Sequence, residues 1–232
     1  MYAIRCTDIL REIVMARFHH LAAIAAAAAL IACSEASTEP NVANLEPGVP
    51  PNWLPVGQVP SSYVVGTDSR TVHGGGHSLG IVGIDTSRVR FSGVVQLVRA
   101  DTYRGKRVRL RAWIRQQNIV GTASGLWMRV DGPGVTQAFD NFSSRPQLGT
   151  ENWHQVEIIL DVPSDALGIS FGALMSGRGE LFVDDMEFEV IPANGPTTNQ
   201  LVEPVAGSDS ASVAANYARR VDKPLNLDFE QR

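Results

Sequence analysis

Residues 107–115 read RVRLRAWIR and alternate without a break. Val108, Leu110, Ala112 and Ile114 fall on one side, and Arg107, Arg109, Arg111, Trp113 and Arg115 on the other. That is the period of a strand with one face in a core. Residues 126–131 (LWMRVD) repeat it, setting Leu126, Met128 and Val130 against Trp127, Arg129 and Asp131. Further strands are predicted at 62–67, 78–82, 93–99, 137–141, 154–162, 168–174 and 180–190. Short strands separated by turn residues, alternating rather than continuously apolar, predict an all-β chain. The expected architecture is an antiparallel β-sandwich of jelly-roll type.

Upstream, residues 21–31 (LAAIAAAAALI) are apolar and follow Arg17, His19 and His20. Eleven residues give about 16 Å of helix, too short for a bilayer core of about 30 Å. A basic start, a short apolar run and small residues make a secretory signal. The run ends in Leu30-Ile31-Ala32-Cys33, which resembles a bacterial lipobox. Cys33 is therefore the expected lipidation site, with residues 1–32 as signal peptide; Met15 offers a second start. An accidental cysteine or a short buried Ala-rich helix is the alternative. Cleavage would remove three arginines and two acids, shifting the formal charge from −4 to −5. Cys6 would leave as well, so no intramolecular disulfide is expected.

The expected organisation is then a Pro-rich tether over 33–60, a β-sandwich over 61–191 and a polar tail over 192–232. The tail carries a weak helical stretch at 210–220. With 232 residues, 44% hydrophobic and 19% charged, the composition is that of a globular protein. A net charge of −4 argues against a nucleic-acid partner.

One stretch, residues 100–189, resembles a known family. Tyr103-Arg104-Gly105-Lys106-Arg107-Val108-Arg109-Leu110, Gly125-Leu126-Trp127-Met128-Arg129-Val130-Asp131-Gly132 and Ala138-Phe139-Asp140-Asn141-Phe142 carry the resemblance. It continues through Trp153, Leu160-Asp161-Val162-Pro163, Ile169-Ser170-Phe171-Gly172 and Val183-Asp184-Asp185-Met186-Glu187-Phe188-Glu189-Val190. These residues resemble jelly-roll modules of the galactose-binding-like and carbohydrate-binding-module type, which bacteria carry beside regulators and hydrolases. The resemblance implies a module that is not catalytic on its own. Such modules begin with an Asn-Leu-x-Phe-Glu strand, but here Asn44-Leu45-Glu46 is followed by Pro47, and the clean copy is Asn226-Leu227-Asp228-Phe229-Glu230. Either 226–230 returns as an edge strand, or it is the stub of a second module.

The sharpest candidate site is a basic and aromatic face made of Arg107, Arg109, Arg111, Trp113 and Arg115 with Trp127, Arg129 and Asp131. Tryptophan stacks on flat ligands and arginine pairs with carboxylate or phosphate. Read for function, the face is a groove for a carbohydrate or a small anionic ligand. Read for structure, the tryptophans cover a sheet and the arginines form a ladder with Asp131, Asp140 and Glu157.

Other constellations carry less. Asp131, Asp140, Asn141 and Arg145 supply too few oxygens for Ca²⁺, and turn residues bonding their own backbone is the plainer account. Asp184-Asp185 resembles the place where related sandwiches hold a structural Ca²⁺; pairing with arginines is the alternative. No other cofactor is expected. His73-Gly74-Gly75-Gly76-His77 has the spacing of a metal pair without a third ligand. Gly76-His77-Ser78-Leu79-Gly80 fits a nucleophile elbow, but residues 81–85 after it read as strand, where the elbow needs a helix. No enzyme is expected. The sequence predicts a lipid-anchored binding module of the bacterial cell envelope; the alternative is a domain that docks an envelope protein.

Overall fold

The computed structural model describes residues 42, 44–57, 60–84, 90–207 and 219–231. The expected signal, Cys33 and most of the proposed helical stretch at 210–220 lie outside the described residues. Among the described residues ten strands follow in order: β1 (Leu45–Pro47), β2 (Leu54–Gly57), β3 (Tyr63–Asp68), β4 (Ser78–Gly83) and β5 (Phe91–Arg99), then β6 (Lys106–Gly132), β7 (Val135–Asp140), β8 (Gly149–Val162), β9 (Gly168–Ile191) and β10 (Val205–Ala206). All pairings between them are antiparallel.

Two long strands build both layers of the sandwich. The stretch expected as two strands, at 107–115 and 126–131, is one continuous β6, and the pair expected at 168–174 and 180–190 is one β9. They pair from Arg107↔Ile191 to Asp131↔Gly168, with register shifts between Gln117 and Val120 and between Gly121 and Ala123. Asn118, Gly177 and Gly179 take positive φ at that bend. Gly and Asn there read as breaks in sequence, yet the backbone keeps pairing through the bend because bulges turn a strand without ending its ladder. The first halves of β6 pair with β8, and the second halves of β9 with β4, giving a sheet β8–β6–β9–β4–β3–β1. The other halves form β10–β7–β6–β9–β5–β2.

One core lies between these layers. Leu110, Ile114, Ile158, Leu160, Leu79 and Ile81 enter it from the first sheet, and Leu126, Met128, Val130, Val94, Ile169 and Phe171 from the second. Every inward position read from the alternation of β6 is fully buried.

Two stretches differ from expectation. The 33–60 segment is not tether throughout, because β1 and β2 lie inside it and Trp53 is buried in the core. Its prolines read as breakers, but Pro47 and Pro55 sit in edge strands, where a missing amide costs little. The C-terminal copy at 226–230 is not an edge strand but a turn, with Asn226 and Phe229 at positive φ. Phe229 is fully buried, its ring 5.5 Å from that of Trp53, whose Nε1 donates to the Asn226 carbonyl at 3.0 Å. Edge pairing occurs earlier, where Val221 bridges Val98 of β5 in parallel.

Candidate functional site

The outward positions of β6 fall on two different faces. Arg107, Arg109, Arg111, Trp113 and Arg115 lie on the outside of the first sheet. Trp127, Arg129 and Asp131 lie beyond the bend, on the outside of the second. The single basic and aromatic face expected from the sequence is therefore split, because one continuous strand serves both layers.

On the first sheet the arginines are engaged with acids. Arg107 binds Asp161 through Nε and Nη2 at 2.7 and 2.9 Å, and this holds the Asp161 carboxyl below its ordinary range. Arg109 meets Glu189 at 2.7 Å and Glu157 at 3.7 Å, and the Nε of Arg111 donates to Glu187 at 3.0 Å. The ladder exists, with Asp161, Glu187 and Glu189 beside the expected Glu157; Asp131 and Asp140 are elsewhere. Half-buried Arg115 stands opposite Phe182. Trp113 is stacked on the ring of His73 at 4.1 Å and 13°, and the His73 Nδ1 is 2.7 Å from Asp185.

Turn chemistry accounts for most remaining candidates. Asp184 is buried, and its carboxylate accepts from the amides of His73, Gly74 and Asp185; burial pushes its pKa up. Glu230, from the C-terminal turn, accepts from the amides of Gly76 and His77 at 2.7 and 3.0 Å and sits 3.2 Å from His77 Nδ1. The Gly76 bond is the main cause of its lowered pKa. The two histidines thus face different carboxylates, and among the described residues no group of three His, Cys, Asp or Glu could hold a metal ion. Ser78 is fully buried at the start of β4, its hydroxyl donating to the Thr71 carbonyl at 2.7 Å. It begins a strand, whereas an elbow serine follows one. Asp140, also fully buried, takes a bidentate pair from Arg145 at 3.0 and 2.6 Å.

The second sheet carries a groove of about 400 Å³ on its outer face. Its floor is built from β6 outward. Trp127 pairs with Gly172 of β9, and its indole Nε1 donates to the Val94 carbonyl of β5 at 3.3 Å. A Cβ at position 172 would collide with that same oxygen, so glycine leaves the room the indole crosses. Trp127, Val95 and Leu174, each 7% exposed, form an apolar cluster separate from the core, and half-buried Phe91, Phe139, Val56 and Ala123 pack around it. Trp127 is thus a floor more than an open stacking platform. Polar groups rim it: Arg90, Arg129, Asn141, and Thr122, whose hydroxyl is 3.1 Å from that of Ser176.

Arg129 is oriented by Asp131. Its Nε lies 2.8 Å from Oδ1, and its Nη2 donates to Oδ2 at 3.3 Å. Asp131 does not line the groove; it is buried beside Arg129 on the same face and shared with Arg220 of the C-terminal segment at 3.3 Å. Of the expected site residues, only Trp127 and Arg129 line this groove. Phe91, Phe139 and Leu174 come from β5, β7 and β9, and Arg90 directly precedes β5; they share no spacing signal, although Phe139 and Leu174 are apolar residues on predicted strands.

No family model matches the chain. Over 182 residues it is 36% identical to an uncharacterized HTH-type transcriptional regulator, YbfP, of Bacillus subtilis (strain 168). That match covers 77% of this chain and 56% of the relative, so the chain spans little more than half the regulator's length. Among solved structures it is similar to the CBM22-1 xylan-binding domain of Paenibacillus barcinonensis Xyn10C, with TM-score 0.43, 15% identity and coverage of 61% of this chain and 87% of that one. It is also similar to the enzymatically active domain of bacteriophage CBA120 tailspike protein 4, with TM-score 0.47, 14% identity and coverage of 61% and 20%. A Stig cyclase from Fischerella sp. TAU gives 0.46, 12%, 65% and 90%.

Proposed function

We propose that this chain is a non-catalytic binding module that holds a carbohydrate in the groove of the second sheet. The observation that carries the reading is the groove itself: apolar and aromatic walls around a tryptophan floor, rimmed by arginine, amide and hydroxyl groups. A sugar ring offers an apolar face to such walls and hydroxyls to such a rim. Sequence shared with a transcriptional regulator fits a recognition module that serves in more than one setting.

The test is a thermal-shift screen of the full chain against a glycan panel, repeated with Ala123→Gln, which fills the groove without adding charge. At least one glycan is expected to raise the melting temperature of the native chain and not of the variant. If no glycan binds, or binding ignores Ala123→Gln, the reading fails and a protein-docking role takes its place.

In the same reading the module is carried at the bacterial cell envelope by lipid on Cys33. The basis is the Leu-Ile-Ala-Cys ending of the apolar run. Multiple acyl chains on one cysteine meet the need for more than one lipid anchor. Expressed in a bacterium, the native chain is expected in the membrane fraction and Cys33→Ala in the soluble one. Continued membrane association of the variant would remove the anchor from the proposal.

A further inference from the structure

Resting on the reading of the second-sheet groove as a carbohydrate site, we infer that its ligand is an acidic glycan whose uronate carboxylates meet Arg90 and Arg129. Two arginines line the groove, and among its described lining residues there is no Asp or Glu. The chain as a whole is acidic, at −4, so this positive surface is local. On the first sheet, Arg107, Arg109 and Arg111 each have a carboxylate partner. Arg90 has no ion-pair partner among the described residues.

Arg129 retains capacity for a further acceptor. Its one carboxylate, Asp131, also serves Arg220. Nε and Nη2 of Arg129 are both turned to Asp131, which leaves Nη1 with no hydrogen-bond partner among the described residues. A neutral sugar laid in the groove would partly desolvate two guanidinium groups without returning a counter-charge, which is unfavourable. A carboxylate returns it and matches the guanidinium fork.

The strand register also sets the ligand's length. Phe91, next to Arg90, stands opposite Ser176, and Ser176 stands opposite Ala123. Ala123 precedes Arg129 by six residues along β6, about 20 Å of strand. The two cations therefore mark opposite ends of the groove, farther apart than one pyranose ring reaches. An oligomer with repeated carboxylates suits both ends, with its rings along Phe91, Leu174 and Phe139.

The experiment is calorimetric titration of the full chain with tetragalacturonate, galactotetraose, monomeric galacturonate and benzoate. Tetragalacturonate is expected to bind about tenfold or more tightly than galactotetraose and galacturonate, on the scale of one charge-assisted hydrogen bond. That advantage is expected to shrink in Arg90→Gln at unchanged melting temperature, and in Arg129→Gln, which leaves Asp131 paired with Arg220 and the chain folded. Equal binding of galactotetraose would overturn the acidic assignment and leave the carbohydrate reading standing. Benzoate binding as tightly as the tetramer would overturn the glycan as source of the carboxylate. Monomer binding as tightly as tetramer would overturn the two-ended site, as would acid affinity unchanged in both arginine variants. Binding of none of the saccharides would remove the underlying reading itself.

Discussion

Phe229→Ala is expected to lower the melting temperature by on the order of 10 °C. The ring is fully buried and packs against Trp53, which in turn meets Phe171 edge-on at 5.8 Å. Emptying such a site costs about 3–5 kcal/mol for a phenylalanine, and each kcal/mol is worth about 2–4 °C in a domain of this size. The loss reaches further because the turn is tied in by hydrogen bonds: the Met186 amide donates to the Leu227 carbonyl at 3.0 Å, and the Asn226 side-chain amide donates to the Pro51 carbonyl at 2.9 Å. Deleting residues 221–232 should cost at least as much, since it also removes the Val221 bridge to β5. Thermal unfolding followed by circular dichroism decides it. An unchanged melting temperature in both variants would mean that the C-terminal turn is an appendage, as a stub of a second module would be.

Arg145→Ala is the second large effect, expected to cost about 2–3 kcal/mol in urea denaturation. Asp140 has no solvent exposure, and its two oxygens take both outer nitrogens of Arg145. Removing one partner of a buried pair typically costs about 3–5 kcal/mol because a charge is left uncompensated. Arg145 is itself about one-third exposed, so water admitted at its place screens part of that penalty. Loss of the guanidinium stacked 3.9 Å over the Phe142 ring adds a smaller cation–π share. Asp140→Asn in the same chain should recover most of the loss, because the neutral amide still accepts from the Phe142 amide through Oδ1. Equal instability of the single and double variants would show that the charge is not the cause.

Both effects bear on how far the candidate site could be read in advance. Asp140 and Arg145 were visible as a polar cluster, and only their burial separates an internal ion pair from a cation site. The arginines of β6 show the same limit. Alternation placed Arg109 and Arg129 correctly on outward positions, but it carries no information on which sheet a strand segment joins. Trp113 and Trp127 belong to one strand and two faces. Phe91, Phe139 and Leu174 were unremarkable where they stood, and became walls of one groove through the register of β5, β7 and β9 against each other.

The sequence by itself determined the all-β class and the inward set of β6, from Val108 to Val130. Alternation of side chains along an extended backbone is a local covalent property, and one stretch of chain is enough to express it. The tertiary structure alone decided that β6 and β9 run unbroken through both layers. It also decided that the prolines of β1 and β2 lie on edges, and that Asn226–Glu230 plugs the core instead of extending a sheet. Those outcomes depend on contacts between residues up to about 170 apart, such as Trp53 and Asn226. There the burial of the Phe229 ring against Trp53 sets the conformation, and that contact is not a local property of the segment.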